Sequence, residues 1–201
     1  MLHWLARLQV DSSKLRQMPK DQSVNVEPSL REIAFEGRVW NVVRETFDYS
    51  GQTLVRDFIE HPGAVAVVAV NRDNEVLMIR QYRHPVRKFL WEIPAGLLDV
   101  AGESHLDAAK RELLEETFYE AKNWELLQTF HASPGGNSEQ IDIFLATDVH
   151  PVESDYQREG EEMDMEVRWV PFSDALRSVK TSEIQSPVAV VAMLALASRQ
   201  K

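Results

Sequence analysis

The chain has 201 residues, enough for one well-buried core with a smaller appended element and short of two full domains. Its 44% hydrophobic and 27% charged content is that of a folded globular protein, which sets aside wholesale disorder and fibrous architectures. A net charge of -10 argues against a broad basic face for nucleic acid, and the absence of cysteine removes disulfides and thiolate metal sites.

The longest apolar runs, 64–70 and 188–197, are far short of the roughly 20 residues that span a bilayer, so no membrane association is expected. The first ten residues lack a basic leader, a long apolar stretch and a small-residue cleavage site. The expected location is cytoplasmic.

Residues 1–30 read as a partly mobile lead-in, because 11–29 carry two prolines among polar residues and show no periodicity. Residues 31–62 form a small N-terminal β element. There 38–44 and 52–60 are rich in β-branched and aromatic residues and flank the turn signal Asp48 to Gly51, a hairpin pattern. Residues 63–201 form the main domain. Its first strand is the continuous apolar run Ala64 to Val70, followed by the turn Asn71 to Asn74 and a strand from Glu75 to Tyr82.

Ser104, with Asp107 three residues on, caps a helix predicted to run to about Thr117. Strands are expected at 124–130 and 140–147, separated by a Gly- and Pro-containing loop. An acidic loop from Glu153 to Asp164 precedes a strand at Glu166 to Val170 and a short helix at Ser173 to Val179. Ser186 and Pro187 then open a last apolar helix through Ala197. This order predicts an α/β sandwich around a mixed sheet.

The chemistry concentrates on the helix after Ser104. Glu112 and Glu116 stand at i and i+4, with Glu115 one step round, while Leu106, Ala109 and Leu113 fall on another sector that can be buried. Such a face is commonly only a solvated surface with ion pairs such as Arg111 to Glu115. Three convergent carboxylates also suit a hard cation, magnesium or manganese, which in turn meets substrate phosphates.

The wider pattern favours the second reading. Gly96, Glu103 and the run Arg111 to Tyr119 together resemble the Nudix box: a glycine, a glutamate, then R-E-U-x-E-E-x-G-U. Two departures are visible. Six residues rather than five separate Gly96 from Glu103, and Phe118 replaces the late glycine, where it would forbid an easy left-handed turn.

The similarity extends over residues 35–198 and is greatest to the bacterial ADP-ribose pyrophosphatase group, through Pro94 to Glu103 (PAGLLDVAGE) and Pro134, fifteen residues past Tyr119. The resemblance implies a Nudix α/β/α sandwich with a mixed β-sheet, and magnesium-dependent hydrolysis of ADP-ribose to AMP and ribose 5-phosphate, with manganese as an alternative ion. It implies metal ligands at Ala95 (carbonyl), Glu112, Glu116 and Glu162, catalytic roles for Glu162, Glu115 and Glu161, and structural support from Glu103 and Arg111. Arg83, Arg56, Trp40 and Pro134 become candidates for substrate contact. Arg56 and Trp40 can equally be an exposed strand arginine and a core or interface tryptophan. The family also implies a homodimer with swapped N-terminal strands. Two alternatives stay open: another nucleoside diphosphate sugar or dinucleotide as substrate, and a Nudix-fold module that senses ADP-ribose without cleaving it.

Overall fold

The structure is a computed structural model that describes residues 18–158, 160 and 163–199. A three-stranded antiparallel sheet comes first: β1 (Leu30–Phe35), β2 (Asn41–Tyr49) and β3 (Gln52–Glu60), in that order. The expected hairpin is present with shifted bounds. Pairing runs to Tyr49 opposite Gln52, so only Ser50 and Gly51 form the turn, both at positive φ (52° and 77°). That two-residue geometry follows the right-handed strand twist, which is why the strand continues through Asp48. β1 has no counterpart in the sequence reading; its apolar residues are exposed and carry no clean alternation.

The second sheet contains β4 (Ala64–Val70), β5 (Glu75–Arg83), β8 (Tyr119–His131), β9 (Gln140–Pro151) and β10 (Glu166–Pro171), ordered β10-β5-β4-β9-β8. Two short strands, β6 (Lys88–Glu92) and β7 (Ala95–Leu97), pair with β5 and β4. β4 runs parallel to β9 and antiparallel to its other partners, so the sheet is mixed as expected. β8 and β9 are longer than predicted because their pairing continues to Tyr119 opposite Pro151, through polar residues that carry no strand signal alone. Three helices complete the fold: α1 (His105–Thr117), α2 (Phe172–Lys180) and α3 (Pro187–Arg199).

β4 explains the architecture. Successive side chains of a strand point to opposite faces. Ala64, Ala66 and Val68 pack with Phe172, Ala175, Val179 and Met193 from α2 and α3. Val65, Val67 and Ala69 pack with Ala108, Ala109 and Leu113 from α1. Both faces are covered, so an unbroken apolar run is the sequence that fits. Fully burying a valine or leucine contributes roughly 1.5–3 kcal/mol relative to exposure, and Val65, Val67, Val68 and Leu113 are all at 0% exposure. The result is the expected α/β/α sandwich, with α1 clamped to one face by Leu113 and its acidic edge turned aside. Among the described residues no helix is long and apolar enough to cross a membrane.

Candidate active site

α1 begins where predicted: Ser104 Oγ accepts the Asp107 N–H at 3.1 Å, satisfying one of the first-turn donors that lack helical partners. Its Leu113 face is fixed against β4, which turns Arg111, Glu112, Glu115 and Glu116 into a cavity of about 320 Å³. β7 supplies Ala95 and Gly96 to the same cavity, β5 supplies Gln81 and Arg83, and the segment after β9 supplies Tyr156.

Glu116 is 4% exposed, and its Oε2 accepts the Ala95 N–H at 2.9 Å, which ties the last turn of α1 to β7. Glu112 lies under Gly96. A Cβ built on Gly96 would stand 2.0 Å from Glu112 Cδ, so glycine is needed here for close approach rather than for an unusual backbone angle.

Arg111 organises the cluster. Its Nε and Nη2 hold both oxygens of Glu103 at 3.0 and 2.9 Å, while Nη1 reaches Glu112 Oε1 at 2.6 Å and Glu115 Oε2 at 3.3 Å. Glu103 and Arg111 thus form an ion pair, and the i,i+4 pair with Glu115 accompanies it. The Glu103 hydrogen bonds, helped by the charge of Glu112, hold the Arg111 guanidinium well above the ordinary arginine range. The same hydrogen bonds from Arg111 hold the Glu103 carboxyl below the usual carboxylate range.

Arg83 forms a second fork, donating through Nε and Nη2 to Glu92 at 3.2 and 2.8 Å. Glu92 is 6% exposed, and sequence reading did not single it out; neither did it single out Gln81, Asp99 or Tyr156, which line the cavity. The usable signal for Glu92 was a carboxylate directly after the apolar run Phe89 to Trp91, because a buried charge needs a charged partner.

The other sequence candidates lie elsewhere. Arg56 and Pro134 meet in a second cavity of about 490 Å³ between β3 and the loop after β8, with Phe47 and Phe58. Among the described residues that cavity shares no lining with the carboxylate cavity. Trp40 packs on His61, ring centroids 5.0 Å apart. Glu161 and Glu162 lie outside the described residues.

Among the described residues no group of three or more His, Asp or Glu is already arranged to hold a metal ion. The cation between Glu112 and Glu115 in this structure is the Arg111 guanidinium. The donor set still fits a hard divalent ion. Asp99, Glu112, Glu115 and Glu116 outnumber Arg83 and Arg111 in the lining, and the carboxylates offer only oxygen donors.

The NUDIX domain model matches residues 60–189, more than half of the chain. The chain belongs to the Nudix family. It is 42% identical over 147 residues to the ADP-ribose pyrophosphatase of Mycobacterium tuberculosis, covering 73% of this chain and 70% of that protein. It is 35% identical over 164 residues to the ADP-ribose pyrophosphatase of Bacillus subtilis, covering 81% and 88%. A solved structure described as an ADP compounds hydrolase superposes with a TM-score of 0.73 over 89% of this chain and 96% of that one; at 22% identity it speaks to the fold.

The two departures from the Nudix box have structural answers. The extra residue before Glu103 is taken up by a turn in which the Glu103 N–H donates to Val100 O at 3.2 Å, with Gly102 at φ 82°. That is the position where a type II turn calls for glycine. The expectation that Phe118 forbids a left-handed turn is corrected. Phe118 caps α1 at φ 60° and ψ 34°, donating its N–H to Leu114 O at 2.8 Å, with the Arg158 guanidinium over its ring.

Proposed function

We propose that this Nudix protein hydrolyses the diphosphate linkage of ADP-ribose to AMP and ribose 5-phosphate, using a divalent ion. The observation that carries the reading is the convergence of Glu112, Glu115 and Glu116 on one cavity with Arg83 at its wall. The substrate follows from the two ADP-ribose pyrophosphatases, each similar over more than two thirds of its length.

Glu112 and Glu116, the Ala95 carbonyl and Glu162 would hold magnesium, or manganese in its place. Such an ion supplies positive charge to the diphosphate and makes water easier to deprotonate. Arg83, oriented by Glu92, presents its guanidinium edge to phosphate oxygens, a geometry that a point charge cannot reproduce. Glu162, with Glu161 next to it, takes the proton of the attacking water. The water oxygen bonds to phosphorus as the bridging P–O bond breaks, and the departing phosphate keeps that electron pair. Glu115 adds negative charge beside Glu112, and Glu103 with Arg111 holds α1 in place.

Arg56, Pro134 and Trp40 serve the nucleoside end of the substrate. Their separation from the carboxylate cavity supports a homodimer in which N-terminal strands are exchanged. Leu30, Ile33, Phe35 and Val55 on the first sheet are all at least half exposed, an apolar surface that a second copy would cover. The working location is the cytoplasm.

The test is hydrolysis of ADP-ribose by the purified protein with magnesium, repeated with Glu116→Gln and against a panel of nucleoside diphosphate sugars and dinucleotides. Loss of turnover in Glu116→Gln, whose amide oxygen can still accept the Ala95 N–H, supports the assignment. Undiminished turnover overturns it, and a higher kcat/KM on another panel member replaces ADP-ribose as the substrate.

A further inference from the structure

Phe118 is the only aromatic among the described non-glycine residues with positive φ. It stands in the left-handed conformation at the C-cap of α1, where glycine is the residue free of steric cost. A phenylalanine there carries a conformational cost that glycine would not, and its ring makes a contact that glycine could not.

The ring has a specific partner. The guanidinium carbon of Arg158 lies 4.8 Å from the ring centroid. Among the described residues Arg158 Nε is buried with no hydrogen-bond partner, and Nη1 donates to Met165 O at 3.4 Å. A guanidinium so poorly served by hydrogen bonds is held by the face of the ring, and cation–π attraction strengthens as water is excluded.

Phe118 also grips the start of the same segment, since the Val152 N–H donates to Phe118 O at 2.9 Å. Between these two points lies Tyr156. It lines the carboxylate cavity and also a neighbouring cavity of about 390 Å³ walled by Phe118, Arg158 and Met163. The end of α1 is therefore tied to the segment that runs past the acids of the same helix.

We propose that Phe118 and Arg158 form a latch that fixes the segment from Val152 to Arg158 at the end of α1, beside the carboxylate cavity, and that both are positioning residues for hydrolysis. The proposal rests on the diphosphate hydrolase reading, which assigns proton transfer to Glu162, four positions after Arg158 in the sequence. It accounts for the departure from the box glycine: the residue that replaces it ties down the loop.

The experiment uses the full chain and the variants Phe118→Gly, Phe118→Tyr, Arg158→Ala and the double variant Phe118→Gly with Arg158→Ala. Melting temperature, kcat and KM for ADP-ribose with magnesium, and the rate of cleavage by a glutamate-specific protease are measured for each.

Phe118→Gly should melt at or above the wild type, because the left-handed cap is relieved, yet lose about tenfold or more in kcat with little change in KM. Phe118→Tyr should keep wild-type turnover. Cleavage within 153–164 should quicken in Phe118→Gly and Arg158→Ala alike, and the double variant should be no worse than either single one.

Wild-type kcat and wild-type cleavage in Phe118→Gly overturn the latch, as do fully additive losses in the double variant. If Phe118→Gly does not fold, Arg158→Ala decides by the same two readouts. If the wild type hydrolyses no nucleoside diphosphate, the functional reading fails by itself. The latch then stands or falls on whether cleavage quickens.

Discussion

Substituting Gly96 by alanine should separate folding from activity. The added Cβ would meet Glu112 at 2.0 Å from Cδ and at 2.1 and 2.3 Å from the two carboxylate oxygens. Ordinary carbon contacts begin at about 3.5 Å, so the carboxylate must retreat by about 1.5 Å. The obstacle is the end of a flexible side chain, and Gly96 has no positive φ, so the backbone accepts alanine. An off-rotamer glutamate costs about 0.5–1.5 kcal/mol, partly offset by the roughly 0.4–1 kcal/mol that alanine gains over glycine through the unfolded chain. Net stability should therefore change by no more than about 1 kcal/mol, or roughly 2–4 °C in melting temperature for a chain of this size. Activity should respond far more. A misplacement of about 1 Å costs on the order of 100-fold, and the movement also breaks the 2.6 Å contact between Glu112 and Arg111. The assay is kcat on ADP-ribose across a magnesium titration, beside a thermal melt. Turnover close to wild type would refute the role given to the Glu112 carboxylate. A melting point lowered by more than about 10 °C would refute the claim that the clash is with a yielding side chain.

Arg111→Lys should lower kcat about 10- to 100-fold, since one ammonium cannot hold both Glu103 oxygens and also bridge Glu112 and Glu115; equal kcat would remove Arg111 from the support of the site. Glu92→Gln should raise KM for ADP-ribose more than it lowers kcat, because it frees Arg83 from its fork; an unchanged KM would argue against Arg83 as a phosphate ligand. The pH dependence of stability should be one-sided. Glu103 has a folded pKa below its unfolded value of about 4.3, so its contribution is present above that pH and is lost as pH falls through the folded pKa. Arg111 has its pKa raised, so its contribution is present at every pH where an unfolded arginine is still protonated and adds no change in the neutral range. The melting difference between wild type and Glu103→Gln should accordingly stay level from pH 6 to 9 and shrink on acidification below about pH 4; a difference independent of acid would contradict the pairing.

Legibility followed the range of the interactions. β4 was readable because a strand covered on both faces must be apolar throughout, and α1 because Ser104, Asp107 and the position of Leu113 are local signals. The outer halves of β8 and β9 were not, since residues such as Glu120 and His150 are in strands only because they face each other across the sheet. At the site, the glutamates of α1 share one helix and their convergence follows from helical spacing. Glu92 and Gln81 come from neighbouring strands whose register a sequence does not display. Phe118 was misjudged for a related reason. Its local conformation is unfavourable, and the compensation comes from Arg158, forty positions away.

The cluster on α1 also shows how neighbouring carboxylates on one helix are steadied by contacts within the chain. Glu112 and Glu116 at i and i+4 repel by roughly 0.2–0.5 kcal/mol, and Glu115 adds to the same field. The two acids are steadied by different means. Glu116 receives the Ala95 N–H, a backbone donor fixed by the pairing of β7 with β4, whereas Glu112 receives Arg111, a long side chain anchored by Glu103. The first contact is to a backbone donor and moves only if β7 moves. The second can be given up, because Arg111 keeps both Glu103 oxygens when it lets Glu112 go. If a divalent ion were held at Glu112, the Arg111 hydrogen bond to Glu112 could be given up while both Glu103 contacts stay, so the brace of α1 would not depend on that bond.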